Sequence, residues 1–472
     1  MTRPVFIDAT MLLRWKQLAP VGIVRLERLL CGRVYRSAAL GTSTFIVWDR
    51  GYRPATAAEV TDLDRLLIQG SLASARDSTP LGLASATAAP SRAGRAKSYA
   101  RGKTNVAISR LPTNLRPLAQ QAIISSATLG VESARHVKRA IDRKRLATSK
   151  HSTIAAKRRS VPVHRVDFSG GGDLVALGLG WEYLDHEAMY DLKQTHDVRI
   201  HMPAFDLIPI EAPQFNAAQR HMVHRYYAEM AHYADTVTCI SQATLVAIRA
   251  FFDREQLPQP HTSSNALPGM VVQAQDTSKR PLNKRFTDRP FVLSVSTIEI
   301  RKNHLLLAKL WSELISEGRD VPDLVIVGRL GWDVTELLRW VENAPELQGK
   351  VFLVTDVDDP ELLDLYDRCQ FTLFPSRTEG WGLPITESLM RGKVCVHSTD
   401  LAQTEASQGL MPALHPDDFF AWKSVLLQLV DDPTYRQQLE ASIASQYSPR
   451  TPDQYCDTFE QLLIARRSMV QQ

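Results

Sequence analysis

Short apolar runs alternate with amphipathic stretches along most of this chain, and the alternation predicts strands and helices in turn. Val5–Ile7 reads as a strand that stops at Asp8, Ile23–Leu30 as a helix introduced by Gly22, and Phe45–Trp48 as a second strand. The rhythm then breaks. From about residue 75 to 165 the chain is rich in Ala, Ser, Arg and Lys, with Tyr99 its only aromatic. Within that stretch Ile123, Ile124, Ala127, Val131, Ala134, Val137 and Ile141 recur at helical spacing. It reads as an insertion, part flexible and part helical. Strands resume at Leu174–Leu177, Val198–Met202 and Thr236–Ile240, and Gln259–Asp288, rich in Pro, Ser, Asn and Lys, reads as a linker.

Beyond the linker the alternation is clear. Strands are predicted at Phe291–Val295, Leu324–Gly328, Val351–Val354, Phe371–Phe374 and Val394–Val396. Helices are predicted at Asn303–Glu317, from Val334, at Pro360–Arg368 and at Pro384–Arg391. This pattern specifies an α/β fold with parallel sheets covered on both faces. At 472 residues the chain exceeds what one core supports, so two Rossmann-like domains are expected. The boundaries read as 1–275, with the insertion at about 75–165, then 276–446, then a helical segment 447–472. Ligands of such sheets bind beyond the carboxyl ends of the strands. The loops after Val295, Gly328, Phe374 and Val396 are therefore where chemistry is expected.

Composition narrows the class. A hydrophobic fraction of 44% and a charged fraction of 23% suit a soluble globular protein. The five cysteines form no C-x-x-C pair and are odd in number, which argues against a disulfide framework or a zinc site and suits a reducing compartment. Asp8 interrupts the first apolar run too early for a signal peptide, and no window of about 18 apolar residues could span a membrane. The net charge of +5 conceals an uneven distribution. From Ser91 to Arg165, eighteen Lys and Arg stand against Glu132 and Asp142 alone, leaving the rest of the chain acidic. A basic block in an acidic protein points to an anionic partner such as a membrane surface. Nucleic acid is disfavoured, because stacking aromatics are missing. A solvated loop with a surface helix is the alternative.

After Phe371–Phe374 comes P-S-R-T-E-G-W-G-L-P-I-T-E, residues 375–387. It places Gly380 and Gly382 in a loop at a strand's carboxyl end, just before a helix. Glycines there let the backbone approach a ligand, and exposed N–H groups hold anionic or hydroxyl oxygens. Glu379 and Glu387 bracket the loop, and a carboxylate accepts two hydrogen bonds from a vicinal diol.

The stretch from Val292 to about Asp418 resembles the donor-binding domain of family 4 glycosyltransferases, which have the GT-B fold, and is similar to bacterial polysaccharide mannosyltransferases. The family's E-x7-E element stands here as Glu379 and Glu387. S-V-S-T-I-E-I-R-K-N-H (294–304), V-G-R-L-G-W (327–332) and R-G-K-V-C-V (391–396) match in order. The resemblance implies that Glu387 binds the ribose of the nucleotide and Glu379 the hydroxyls of the transferred sugar. The backbone of Gly380, Trp381, Gly382 and Leu383 would touch sugar and phosphate, and Lys302 would neutralise the diphosphate. Many members carry an Arg a few residues before this Lys, where Ser296 stands here. Arg301 or Arg329 is expected to replace it.

On the acceptor side, I-H-M-P-A-F-D-L-I-P-I (200–210) resembles the family's H-D or Y-D-L-I-P stretch, making Asp206 first choice for orienting or deprotonating the acceptor hydroxyl and His201 second. V-G-I-V-R-L-E (21–27) resembles the glycine loop and helix after the first strand, with Gly22 near the donor phosphate and Arg25 contacting donor or acceptor. The segment 447–472 would cross back to the first domain. The implied reaction is retaining transfer of a hexose from a nucleoside diphosphate sugar, GDP-mannose or a UDP-sugar. The acceptor would be a glycan or polyprenyl-linked glycan in surface polysaccharide synthesis. No cofactor or metal is implied. The protein is expected on the cytoplasmic side, with residues 91–165 against the inner membrane face. The alternatives are a sugar-nucleotide epimerase or hydrolase of the same fold, or a non-catalytic nucleotide-sugar binding subunit.

Overall fold

The computed structural model describes residues 3–15, 22–72, 165–269 and 289–469. The basic block and the periodic stretch within it lie outside these residues. The described residues up to 337 and from 344 onward belong to one compact unit, and it contains both sheets.

The first sheet comprises β1 (Val5–Asp8), β2 (Ser43–Trp48), β3 (Tyr52–Pro54), β4 (Gly172–Val175), β5 (Val198–Ala204), β6 (Thr236–Cys239) and β7 (His261–Ser264), in the order β3-β2-β1-β4-β5-β6-β7. All neighbours are parallel except β3, which runs antiparallel to β2. All seven residues of β5 are buried, as expected of a central parallel strand covered on both faces. Its neighbours form a core with Tyr226, Tyr227, Met230, Phe251 and Phe252 from the helices Pro213–Tyr233 and Gln242–Arg254.

Two elements depart from the sequence expectation. β7 lies inside the stretch read as a linker. Its residues, H-T-S-S, carry no apolar signal because it is the sheet's edge, and Arg249 secures it by donating to Thr262 Oγ1 at 2.7 Å and to its carbonyl at 3.1 Å. A helix at Ala57–Leu72 continues the α/β rhythm beyond the point where it was expected to stop. Its start is fixed by Glu59, which accepts from Thr56 N at 2.8 Å and pairs with Arg53 at 2.7 Å.

The second sheet comprises β8 (Phe291–Val295), β9 (Asp323–Val327), β10 (Val351–Val354), β11 (Thr372–Phe374), β12 (Cys395–Ser398) and β13 (Ala413–Leu414), all parallel, in the order β10-β9-β8-β11-β12-β13. The order reverses between β8 and β11, so the loops after these two strands open side by side at the carboxyl edge. This is the position at which doubly wound sheets bind ligands.

The helix Pro452–Met469 packs on the first half of the chain. Arg467 donates to Asp173 Oδ2 at 2.8 Å and to the Leu40 carbonyl at 2.7 Å, and Arg33 pairs with Glu460 at 2.6 Å. Asp173 is buried, and it also meets Arg199 at 3.1 Å. All five cysteines are buried and unpaired. No helix among the described residues is long and apolar enough to cross a membrane.

Candidate active site

The loop after β8 makes a short 3-10 turn, Ile300–Lys302, and then Asn303 adopts a left-handed conformation with φ 58°. The reversal starts the helix His304–Ser316 and turns Arg301 and Lys302 toward the neighbouring loop after β11. Both cations meet Glu379 there. Lys302 bonds Oε1, and Arg301 Nη1 lies 2.9 Å from Oε2 and 2.6 Å from the Thr378 carbonyl. Ser376 Oγ donates to Glu379 at 2.5 Å. Burial alone would neutralise Glu379, but Lys302 and Arg301 outweigh it and hold the carboxyl down at about 2. Burial lowers the Lys302 ammonium, and Glu379 opposes that effect. The Lys302 ammonium also lies 5.2 Å from the Phe374 ring centroid. His304 donates or accepts at Ser296 Oγ, 3.1 Å away, and burial with Lys302 nearby pushes it down to about 3, so it adds no charge.

The glycines of the β11 loop do different work. Gly382 has φ +135°, which side chains rarely adopt, and the helix Leu383–Met390 starts immediately after it. Gly380 faces the first half of the chain. A Cβ at Gly380 would lie 2.6 Å from the Phe205 carbonyl oxygen and 3.0 Å from Asp206 Cβ. The loop thus comes into contact with Asp206, just past the end of β5. Asp206 Oδ1 accepts from Ile208 N at 3.1 Å, and burial raises its proton affinity against the opposing charge of Arg301.

Glu387 sits one turn into the helix Leu383–Met390. The hydroxyl of Tyr366, from the helix Asp359–Arg368, donates to its Oε2 at 2.9 Å. Burial pushes Glu387 up to about 7, with Tyr366 and Arg25 opposing and Asp359 adding to the rise. Arg25, from the helix Gly22–Arg36, pairs with Asp359 at 2.9 Å and so links the two halves beside Glu387.

The structure therefore brings Arg301, Lys302, Glu379, Gly380 and Asp206 together, and Arg25 close to Glu387. Arg329, after β9, is exposed and has no ion-pair partner among the described residues. Trp381 is buried, its Nε1 donating to Thr386 Oγ1 at 3.2 Å, so only its backbone is free to meet a ligand. Leu383 is the first residue of its helix and Gly22 the first of Gly22–Arg36. His201 lies buried within β5, its Nδ1 2.8 Å from Thr236 Oγ1 and its Nε2 3.3 Å from Asp173 Oδ1, so both nitrogens are engaged inside the sheet. Trp181 packs edge-on against Phe205 and Tyr226.

Sequence reasoning missed three contributors. Ser376 stood within the motif, where a hydroxyl three residues before a carboxylate was the available signal. Glu299, 2.7 Å from Arg301, and Tyr366 carried none, because their partners are set by packing.

Residues 275–406 match the family model described as glycosyl transferases group 1. The serotype-specific mannosyltransferase WbdA of Escherichia coli is 29% identical over 198 residues, which are 39% of this chain and 24% of that protein. The O-antigen chain mannosyltransferase B of Escherichia coli is 31% identical over 149 residues, 31% of this chain and 38% of that one. The chain thus spans well under half the length of these relatives. In architecture it is similar to Anabaena HepE, solved in complex with UDP-glucose, with a TM-score of 0.54 at 12% identity over 98% of this chain and 100% of the other. Two sheets, each predominantly parallel, give the chain the GT-B fold, and the match to the group 1 glycosyl transferase model falls on its second sheet, across β8 to β12.

Proposed function

We propose that this chain is a retaining glycosyltransferase that moves a hexose from a nucleoside diphosphate sugar to a glycan acceptor. The observation that carries this reading is the convergence of Arg301 and Lys302 on Glu379 at the carboxyl edge of the second sheet. Two largely buried cations at one point are an anion site, and in the absence of donor Glu379 neutralises it. A donor diphosphate competes for the same cations, and its charge is what they stabilise as the leaving group departs. Glu379, released from part of that pairing, is left to accept hydrogen bonds from the hydroxyls of the transferred sugar. Glu387 accepts from the ribose, and the backbone N–H groups at the start of the helix Leu383–Met390 face the sugar and phosphate.

Asp206 stands against this loop from the acceptor half and orients the acceptor hydroxyl. Front-side attack keeps the anomeric configuration: the acceptor oxygen bonds the anomeric carbon as the bond to the diphosphate breaks, and the departing phosphate oxygen takes the acceptor proton. Positioning then supplies most of the acceleration, without a strong base. The likeness to mannosyltransferases supports mannose as the hexose and GDP-mannose as the first donor to test, ahead of UDP-sugars. The proposed acceptor is a polyprenyl-linked polysaccharide, met at the cytoplasmic membrane face, and the support for that contact is the basic charge of residues 91–165.

A thermal-shift panel of GDP-mannose, UDP-glucose and ADP-glucose tests the reading, since a ligand specific to the folded state raises its melting temperature. One donor should raise it and Glu387→Ala should abolish that rise. No response to any member of the panel would overturn the proposal, and release of free sugar at full rate without acceptor would favour a hydrolase.

A further inference from the structure

Glu387 is the only carboxylate of the E-x7-E pair that no cation neutralises directly, and what meets it instead is a phenol. Tyr366 is 2% exposed. Its ring belongs to the core under β8, with Phe291, Leu293, Val325, Leu365 and Cys369. The helix that carries it starts on a capping box between Asp358 and Glu361, so ring and helix are both fixed. A hydroxyl at the tip of a buried ring must find a partner inside the protein. This one finds Glu387 Oε2, 21 residues away on the next helix.

We propose that Tyr366 is the positioning residue for nucleotide recognition: its hydroxyl pins one oxygen of Glu387 so that the carboxylate meets a ribose diol in a single orientation. This rests on the reading of Glu387 as the ribose contact. The geometry leaves three of the four lone-pair sites of the carboxylate for the diol, because Tyr366 takes one. It also opposes the rise in proton affinity that burial imposes on the carboxylate. Among the described residues the titratable groups acting on Glu387 are Tyr366 and Asp359, from the helix Asp359–Arg368, and Arg25, from Gly22–Arg36. Of these, Tyr366 and Arg25 favour the charged form that accepts from two hydroxyls, and Arg25 is itself paired with Asp359. A merely structural tie between two helices would contribute to stability but not to selectivity for ribose.

The test is titration calorimetry of the full chain with GDP, UDP and ADP and their 2′-deoxy counterparts, from about pH 6 to about pH 9, a window that brackets the titration of Glu387. In the native chain, affinity for the preferred ribonucleotide should rise with pH as Glu387 ionises. Tyr366→Phe should weaken that ribonucleotide about tenfold near pH 7, the weight of one hydrogen bond to a charged group. It should also narrow the preference for ribose over deoxyribose and move the pH midpoint upward. Unchanged selectivity and midpoint in Tyr366→Phe, with binding lost in Glu387→Gln, would overturn this inference and leave the ribose contact standing. Native binding in Glu387→Gln would overturn the ribose contact itself. Site-specific 3-fluorotyrosine at 366 keeps the ring and strengthens the donor. Its midpoint should move downward, and an unmoved midpoint overturns the inference even if the Phe variant folds poorly.

Discussion

Gly380→Ala is the sharpest perturbation of the contact between the two halves. The added methyl would stand 2.6 Å from the Phe205 carbonyl oxygen, 3.0 Å from Asp206 Cβ and 3.2 Å from Ile240 Cδ1. Two of these atoms are backbone or Cβ and cannot rotate away. Relief requires the β11 loop and the end of β5 to part by roughly 0.6–0.8 Å, the shortfall from ordinary van der Waals contact. Stability should fall by about 1–3 kcal/mol, the usual cost of overpacking. The larger effect is on the reaction. Asp206 and Glu379 face each other across this contact, and a displacement near 1 Å at a reacting centre costs about a hundredfold in rate. The assay is release of nucleoside diphosphate from the donor found in the thermal-shift panel, with acceptor present. Gly380→Ala should lose about a hundredfold in kcat/KM while nucleotide affinity, which the proposal assigns to Lys302 and Glu387, changes less than about threefold. Gly170→Ala, where nothing lies within 4 Å of the added carbon, serves as control. A Gly380→Ala enzyme with native kcat/KM would refute the idea that this close approach sets the geometry of transfer.

Gly328→Ala places a Cβ 1.7 Å from the Ser296 carbonyl oxygen, so β8 and β9 could not keep their register, and circular dichroism melting should show a loss of several degrees or failure to fold. Lys302→Ala leaves Glu379 with Arg301 and the Ser376 hydroxyl. It should weaken nucleoside diphosphates about ten- to a hundredfold while the nucleoside, lacking phosphates, binds as before, which calorimetry separates. Vesicles containing anionic lipid should sediment the native chain at low salt, each basic residue contributing on the order of 1 kcal/mol, and a chain lacking residues 91–165 should stay in the supernatant.

The two sheets were legible because their strands are short apolar runs, and the site was legible because its motif sits between one such strand and a helix. Legibility failed where partners are chosen by sheet order. Lys302 and Glu379 are 77 residues apart and meet because β8 and β11 are neighbours, which no local pattern announces. The setting of His201 was not legible because β5 is buried on both faces, so alternation gives no hint of which way a side chain points. Its real partner, Asp173, lies 28 residues earlier. β7 was missed because an edge strand of polar residues has no hydrophobic period. Gly380 was read as making room for a ligand, whereas the nearer obstacle is the chain's own carbonyl at Phe205.

The clamp made by Arg467 has a consequence for biosynthesis. Its partner Asp173 is a buried carboxylate 294 positions upstream. A ribosome adding roughly 5–20 residues per second delivers the arginine tens of seconds after that aspartate has emerged. During that interval the opening sheet holds an acidic group met by Arg199 and His201 but without its late partner, with the Leu40 carbonyl still awaiting its donor. The first half therefore reaches its final state only after the second has been made, and maturation of the early part is tied to synthesis of the late part.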